Sequence, residues 1–154
     1  LRIGDSTAKG LCYAMYKPLI ANETLKAILN SPFSILHSPF SILFCPMLDA
    51  RRMEVYCAVY DSSLNEIKKT SAEIIDENSF SDLLENNVIY FFGEGAEKCK
   101  KKLSHHNNAR FIDNVFPSAK NLIPFSENAF QEKQIEDIAY FEPYYLKNFV
   151  GTKG

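Results

Sequence analysis

The alternation of apolar and polar positions opens on a helix. Over 3–16, Ala8, Leu11, Cys12 and Met15 fall at i, i+3, i+4 and i+7, and Asp5 or Ser6 is placed to take up the first free amides. Small residues, Gly4, Ala8, Gly10 and Ala14, are spread around the same helix. They would let a second helix come close, although each glycine inside a helix costs about 1 kcal/mol relative to alanine. Pro18 stops the helix, and 18–21 is predicted as a short buried strand. Asn22 then caps a second helix over 23–29 whose Leu25, Ile28 and Leu29 share a face.

The sequence SPFSIL occurs at 31–36 and again at 38–43, with His37 between the copies. Two copies are too few for a stacked-repeat fold. The first is expected to be a loop or insertion and the end of the second to lead into a strand, and this uncharged, apolar stretch needs covering by protein. Strands follow over 43–49 and 53–60, where Val55, Cys57 and Val59 alternate with Tyr56, Ala58 and Tyr60. After the turn signal Asp61, Ser62, Ser63 and Asn65, residues 67–75 return as the third strand of a meander. Asn78 and Ser79 are expected to cap a helix with Phe80, Leu83 and Leu84 inward, ended by Asn86 and Asn87.

Residues 88–92 form a continuous apolar run, the mark of a strand covered on both faces, and lead through Gly93, Glu94, Gly95 and Ala96 into a lysine-rich helix ending at Leu103. A strand over 109–112 and a long helix from Pro117 through Phe130, kinked at Pro124, complete the pattern. The aromatic tail over 140–150 is expected to close the core. Helices alternating with strands, plus one antiparallel meander, predict an α/β layered fold.

Composition narrows the classes. The chain has 154 residues, 46% hydrophobic and 13% aromatic, enough for a packed core. Seventeen basic against nineteen acidic residues leave a net charge of −2, so no global field gathers nucleic-acid phosphates and any RNA role is local or shared with a partner. The longest apolar runs fall short of the ~18 residues of a membrane-spanning helix and no secretory leader opens the chain, which predicts a soluble, cytoplasmic protein with no membrane partner. Opening on Leu1 inside a helix-leading motif, it reads as a fragment. Cys12, Cys45, Cys57 and Cys99 have no C-x-x-C spacing and form no ligand pattern with His37, His105 and His106, which predicts buried free thiols and no metal.

Four candidate sites are weighed. The turn at 93–96 could present amides of Gly93 and Gly95 to a phosphate at a helix amino terminus, with Lys98 assisting. Glu94 and the missing G-K-[ST] favour a structural turn. Lys98, Lys100, Lys101 and Lys102 are expected to be a solvated helix face suited to the helix dipole, and Arg51 and Arg52 to fix a hairpin through salt bridges to Asp49 and Glu54. Adjacent His105 and His106 belong to a loop. No G-x-S-x-G elbow or nucleophile-base pair appears, so hydrolysis is not expected.

Three stretches carry a family resemblance. LRIGDSTAKGLCYAMYKPLI at 1–20 resembles the helix-opening segment of TsaB proteins, DARRMEVYCAVYD at 49–61 their central hairpin, and AYFEPYYLKNFVGTK at 139–153 their C-terminal signature. The resemblance implies the ribonuclease H-like and actin-like ATPase fold, with 1–22 ending the amino-terminal lobe and 23–154 forming the carboxyl-terminal lobe. It further implies a non-catalytic subunit, from a family also labelled glycoprotease-like. Such a subunit binds and stabilises a TsaD-like catalytic subunit and works with a TsaE-like ATPase to place threonylcarbamoyl on tRNA. Ile3, Ala8, Leu11, Cys12 and Met15 become the expected partner interface. No cofactor is implied, ATP entering only at a subunit boundary, and tRNA is met through the complex. Relative to the family pattern, the first half of the amino-terminal lobe is lacking and the SPFSIL doublet is extra. The rival readings are a nucleotide-binding or hydrolytic protein using the turn at 93–96, and a module that pairs with a second copy of itself.

Overall fold

The computed structural model describes residues 2–29 and 41–146. In chain order it contains α1 (Arg2–Ala14), α2 (Thr24–Leu29), β1 (Ser41–Asp49), β2 (Glu54–Asp61), β3 (Glu66–Ile74), α3 (Ser81–Leu84), β4 (Asn87–Phe92), α4 (Ala96–Leu103), β5 (Ala109–Ile112), a 3-10 turn (Ala119–Leu122) and α5 (Ile123–Gln131). Two compact units emerge: Glu23–Leu122, and Leu1–Asn22 together with Ile123–Gly154. The second unit thus takes in α5, which the sequence-based division after residue 22 grouped with the sheet. Its parts are tied by a bridge between Leu19 and Glu136, a bond from the Asn22 amide to the Ser126 hydroxyl at 2.8 Å, and a bond from Lys9 Nζ to the Phe141 carbonyl.

The larger unit is a five-stranded mixed sheet in the order β3-β2-β1-β4-β5. β1, β2 and β3 form the antiparallel meander, while β4 runs parallel to both β1 and β5. Period-two alternation distributes β2 between the two faces. Val55, Cys57 and Val59 join Leu43, Cys45, Met47, Ile89 and Phe91 under α3 and α4, while Ala58 and Tyr60 join Phe92 and the buried Leu25, Ile28 and Leu29 of α2. β4 is covered on both sides, which is why it reads as one apolar run. Phe91 anchors the first face, its ring 5.4 Å from that of Phe80 and 5.3 Å from that of Phe111.

Several local expectations are corrected. α1 begins at Arg2, so Asp5 and Ser6 lie inside the helix, and 18–21 contributes one bridge at Leu19 rather than a strand. Asn22 spends its side chain on Ser126 instead of capping α2. α3 follows Phe80 in a left-handed conformation (φ 63°) with no side-chain cap. The Ser79 hydroxyl is held by Asp76, and the short helix is fixed by seating the Phe80 ring in the core. The helix expected from Pro117 splits into the 3-10 turn and α5, and Pro124 takes a first-turn position where its missing N–H costs nothing, so it starts a helix instead of kinking one. In the tail, Tyr140, Tyr144 and Tyr145 are exposed and close no core. The first SPFSIL copy lies outside the described residues, whereas Ser41, Ile42 and Leu43 of the second open β1, as expected.

All four cysteines are free, and Cys45, Cys57 and Cys99 are buried in one core cluster. Burial withholds water from the thiolate, pushing Cys99 up to about 11 and Cys45 well above the ordinary thiol value. Native-state labelling with iodoacetamide at pH 8 should therefore modify Cys12, which is half-buried, and leave the other three intact until denaturant is added. Peptide mapping that finds Cys99 modified as fast as Cys12 would contradict this packing.

Candidate functional site

The smaller unit looks unlike a finished core. Of the 25 buried apolar residues among those described, only Leu19 and Ala129 belong to it, yet it holds eleven of the fifteen large apolar side chains left exposed. Soluble proteins commonly scatter exposed apolar residues singly, whereas here they are concentrated on one unit.

Helix α1 shows how that surface is made. Asp5, Ala8, Lys9 and Cys12, spaced at i, i+3, i+4 and i+7, form its sheltered side. Lys9 is fixed there, 3.8 Å from Asp5, bonded to the Phe141 carbonyl and 5.8 Å above the Phe141 ring. The opposite side carries Ile3, Gly4, Thr7, Gly10, Leu11 and Ala14, with Met15 just beyond, and no charge. Ile3 is 86% exposed, Leu11 57% and Met15 60%. The five residues expected as one interface are thus divided: Ile3, Leu11 and Met15 face solvent, whereas Ala8 and Cys12 turn toward the helix's own unit. Spacing alone did not separate them, because a ring of small residues lets the apolar stripe be drawn on either flank.

The two glycines on this side are informative. A methyl group added at Gly4 or Gly10 would meet nothing within 4 Å. Nothing in the described chain requires their smallness, although each weakens an exposed helix by up to about 1 kcal/mol.

The turn between β4 and α4 is the opposite case. Gly93 has φ +96°, and a methyl there would lie 2.4 Å from the Met47 carbonyl oxygen. One at Gly95 would lie 2.9 Å from the Leu48 backbone and 3.0 Å from Val55 Cγ1. The Gly95 amide donates to the Met47 carbonyl at 3.0 Å. Lys98 is bonded to the Asp49 carboxylate and, at 2.6 Å, to the Glu54 carbonyl, and Glu94 stands exposed at the turn. The Gly95 amide and the Lys98 ammonium, two of the groups that a phosphate would need, are thus engaged within the fold.

Three of the four lysines of the run are similarly engaged. Lys100 pairs with Glu97 and Asp113, and Lys102 with Glu77 at 3.1 Å. Asp49 meets Lys98 and the Arg51 amide, not an arginine side chain, and these two bonds hold its carboxyl below the ordinary carboxylate range. Arg51 and Arg52 shape the hairpin through backbone, both at positive φ (69° and 47°). His106 donates from Nε2 to the Glu77 carbonyl at 3.1 Å with the His105 ring 4.0 Å away, which places the pair at the end of α4 as a structural corner. Among the described residues, no helix is long and apolar enough to cross a membrane.

Comparison with known proteins sets this geometry in a family. Residues 1–149 match the family described as TsaD: tRNA N6-adenosine threonylcarbamoyltransferase. No curated protein matches. Among solved structures, a Pseudomonas aeruginosa protein described as uncharacterized with similarity to peptidase YeaZ superposes with a TM-score of 0.71 at 16% identity, covering 95% of this chain and 67% of that one. YeaZ from Pseudomonas aeruginosa superposes with a TM-score of 0.66, also at 16% identity, over 94% and 67% of the respective chains. At such identity the likeness speaks for the fold: an α/β mixed sheet of the actin-like ATPase and ribonuclease H-like class, as expected from the sequence. With all but the last five residues inside the match, the chain belongs to the family described as TsaD: tRNA N6-adenosine threonylcarbamoyltransferase.

Proposed function

We propose that this chain is a TsaB-type, non-catalytic subunit of the tRNA threonylcarbamoyladenosine machinery, which docks on and stabilises a TsaD-like catalytic subunit through the outward side of α1. The observation that carries the reading is the pair Gly4 and Gly10, whose smallness serves nothing inside the described chain and which flank, about 120° apart, an uncharged and mostly apolar arc of the helix. Closely approaching helices use small residues in this way, their ridges settling into each other's grooves. The family match and the YeaZ-like fold support the pathway, and the commitment of Lys98, Gly95 and His106 to structural bonds supports assigning the bond chemistry to the partner. A TsaE-like ATPase and tRNA join through that complex, in the cytoplasm, with any ATP held at a boundary between subunits.

The experiment is a double substitution, Gly4→Ala with Gly10→Ala. In the lone subunit it should raise stability by about 1–2 kcal/mol, because alanine is the better helix former and finds open space. In calorimetric titration against the TsaD-like subunit it should weaken binding about tenfold or more, because two methyl groups hold the helices apart. Unchanged affinity for that partner would sink the reading. If the double variant instead separated a dimer of this chain in sedimentation, α1 would pair with its own copy.

A further inference from the structure

A second surface of the smaller unit differs from α1 in charge. Residues 123–146 hold five carboxylates, Glu127, Glu132, Glu136, Asp137 and Glu142, against one lysine, Lys133. Residues 1–122 hold fourteen acidic and fourteen basic residues, so the excess negative charge of the described chain is gathered in this segment. In the sheet unit, by contrast, Glu23, Asp49, Glu73, Glu77, Glu97 and Asp113 each meet a lysine. Among the described residues none of the five has an ion-pair partner. Glu132 accepts a bond from the Gln134 amide, and Asp137 from the Ala139 backbone N–H.

Apolar side chains are interleaved with them. On α5, Ile123, Glu127 and Phe130 fall at i, i+4 and i+7, one exposed stripe with a carboxylate between two apolar side chains, opposite the buried Ala129. Ile135, Tyr140 and Tyr144 continue the exposed series along the following chain. Aromatic residues are enriched where proteins meet, and a patch of one charge sign selects its complement.

We propose that α5 and the chain after it, to Leu146, form a docking surface for a segment of a partner protein in which lysine or arginine alternates with apolar side chains. Nucleic acid is repelled, since a net four negative charges face its phosphates. The proposal is independent of the docking role of α1.

The test uses two fluorescent helical peptides titrated into the intact chain by anisotropy, one of leucine and lysine at i, i+4 spacing and one with glutamate for each lysine. The lysine peptide should bind saturably, more weakly at high salt, and the glutamate peptide should not. Phe130→Ala and Glu127→Lys should each weaken the lysine peptide about tenfold or more with the melting temperature unchanged, since both side chains are exposed. Tyr140→Ala, on irregular chain and 84% exposed, repeats the measurement where no helix can be disturbed. Leu11→Glu should leave this binding unchanged, which separates failure here from failure at α1. Equal binding of both peptides, indifference to all three substitutions, or a dimer of the chain dissociated by Phe130→Ala would overturn the proposal.

Discussion

An alanine at Gly93 should destabilise the protein by on the order of 3–5 kcal/mol, a large part of the roughly 5–15 kcal/mol available to a domain of this size. Two costs add. The backbone there sits at φ +96°, outside the range that a side chain adopts comfortably, and the new methyl would stand 2.4 Å from the Met47 carbonyl oxygen. That oxygen belongs to the central strand β1 and accepts the Gly95 amide, so it cannot move without disturbing the junction between β1, β4 and α4. Glu94→Ala, one residue on and exposed, is the control and should cost less than about 0.5 kcal/mol. Urea unfolding followed by circular dichroism measures both. A loss below about 1 kcal/mol for Gly93→Ala would mean that the turn does not rest on β1.

This prediction also shows what sequence reasoning can and cannot see at a glycine. The order strand, glycine turn, helix was legible at 88–103 because β4 is buried on both faces and α4 is amphipathic. Both are consequences of position in a layered sheet. The purpose of the glycines was not, because GEGA looks the same whether its amides point to a ligand or to a neighbouring strand. Only the approach of Met47 and Leu48, distant in sequence, decides it. The meander was legible for a similar reason, since Val55, Cys57 and Val59 cannot share a face with Ala58 and Tyr60 in any strand.

Errors gathered where a local signal was outweighed by a contact from elsewhere. Asn22 and Ser79 have the chemistry of caps, but Ser126 and Asp76 engage them first. Arg51 suggested a salt bridge to Asp49, but Lys98 reaches that carboxylate from α4. The tyrosines of the tail were expected in the core because apolar aromatics generally seek burial. No pattern within 140–145 says that the unit to which they belong keeps so little core of its own. In the same way the α1 stripe was visible as apolar, while its division into a sheltered flank with Ala8 and Cys12 and an open flank with Ile3 and Leu11 follows from the docking of Lys9 on Phe141.

That division leads to the second large effect. On the proposed docking through α1, Leu11→Glu should weaken assembly with the TsaD-like subunit about a hundredfold, ~2.7 kcal/mol, because a carboxylate would replace an exposed apolar side chain on an uncharged helix face and lose its water on binding. The lone chain should melt within about 1 °C of the parent, since Leu11 is more than half exposed and supports no core. The pairing of these readouts discriminates. A lower melting temperature in the isolated subunit would mean that the face packs against its own polypeptide, whereas intact affinity would remove α1 from the interface. Ala8→Glu is the informative companion: Ala8 sits on the sheltered flank beside Lys9, so the variant should lose stability before it loses partner affinity, and a chain that showed the reverse order would have its α1 rotated relative to the orientation described.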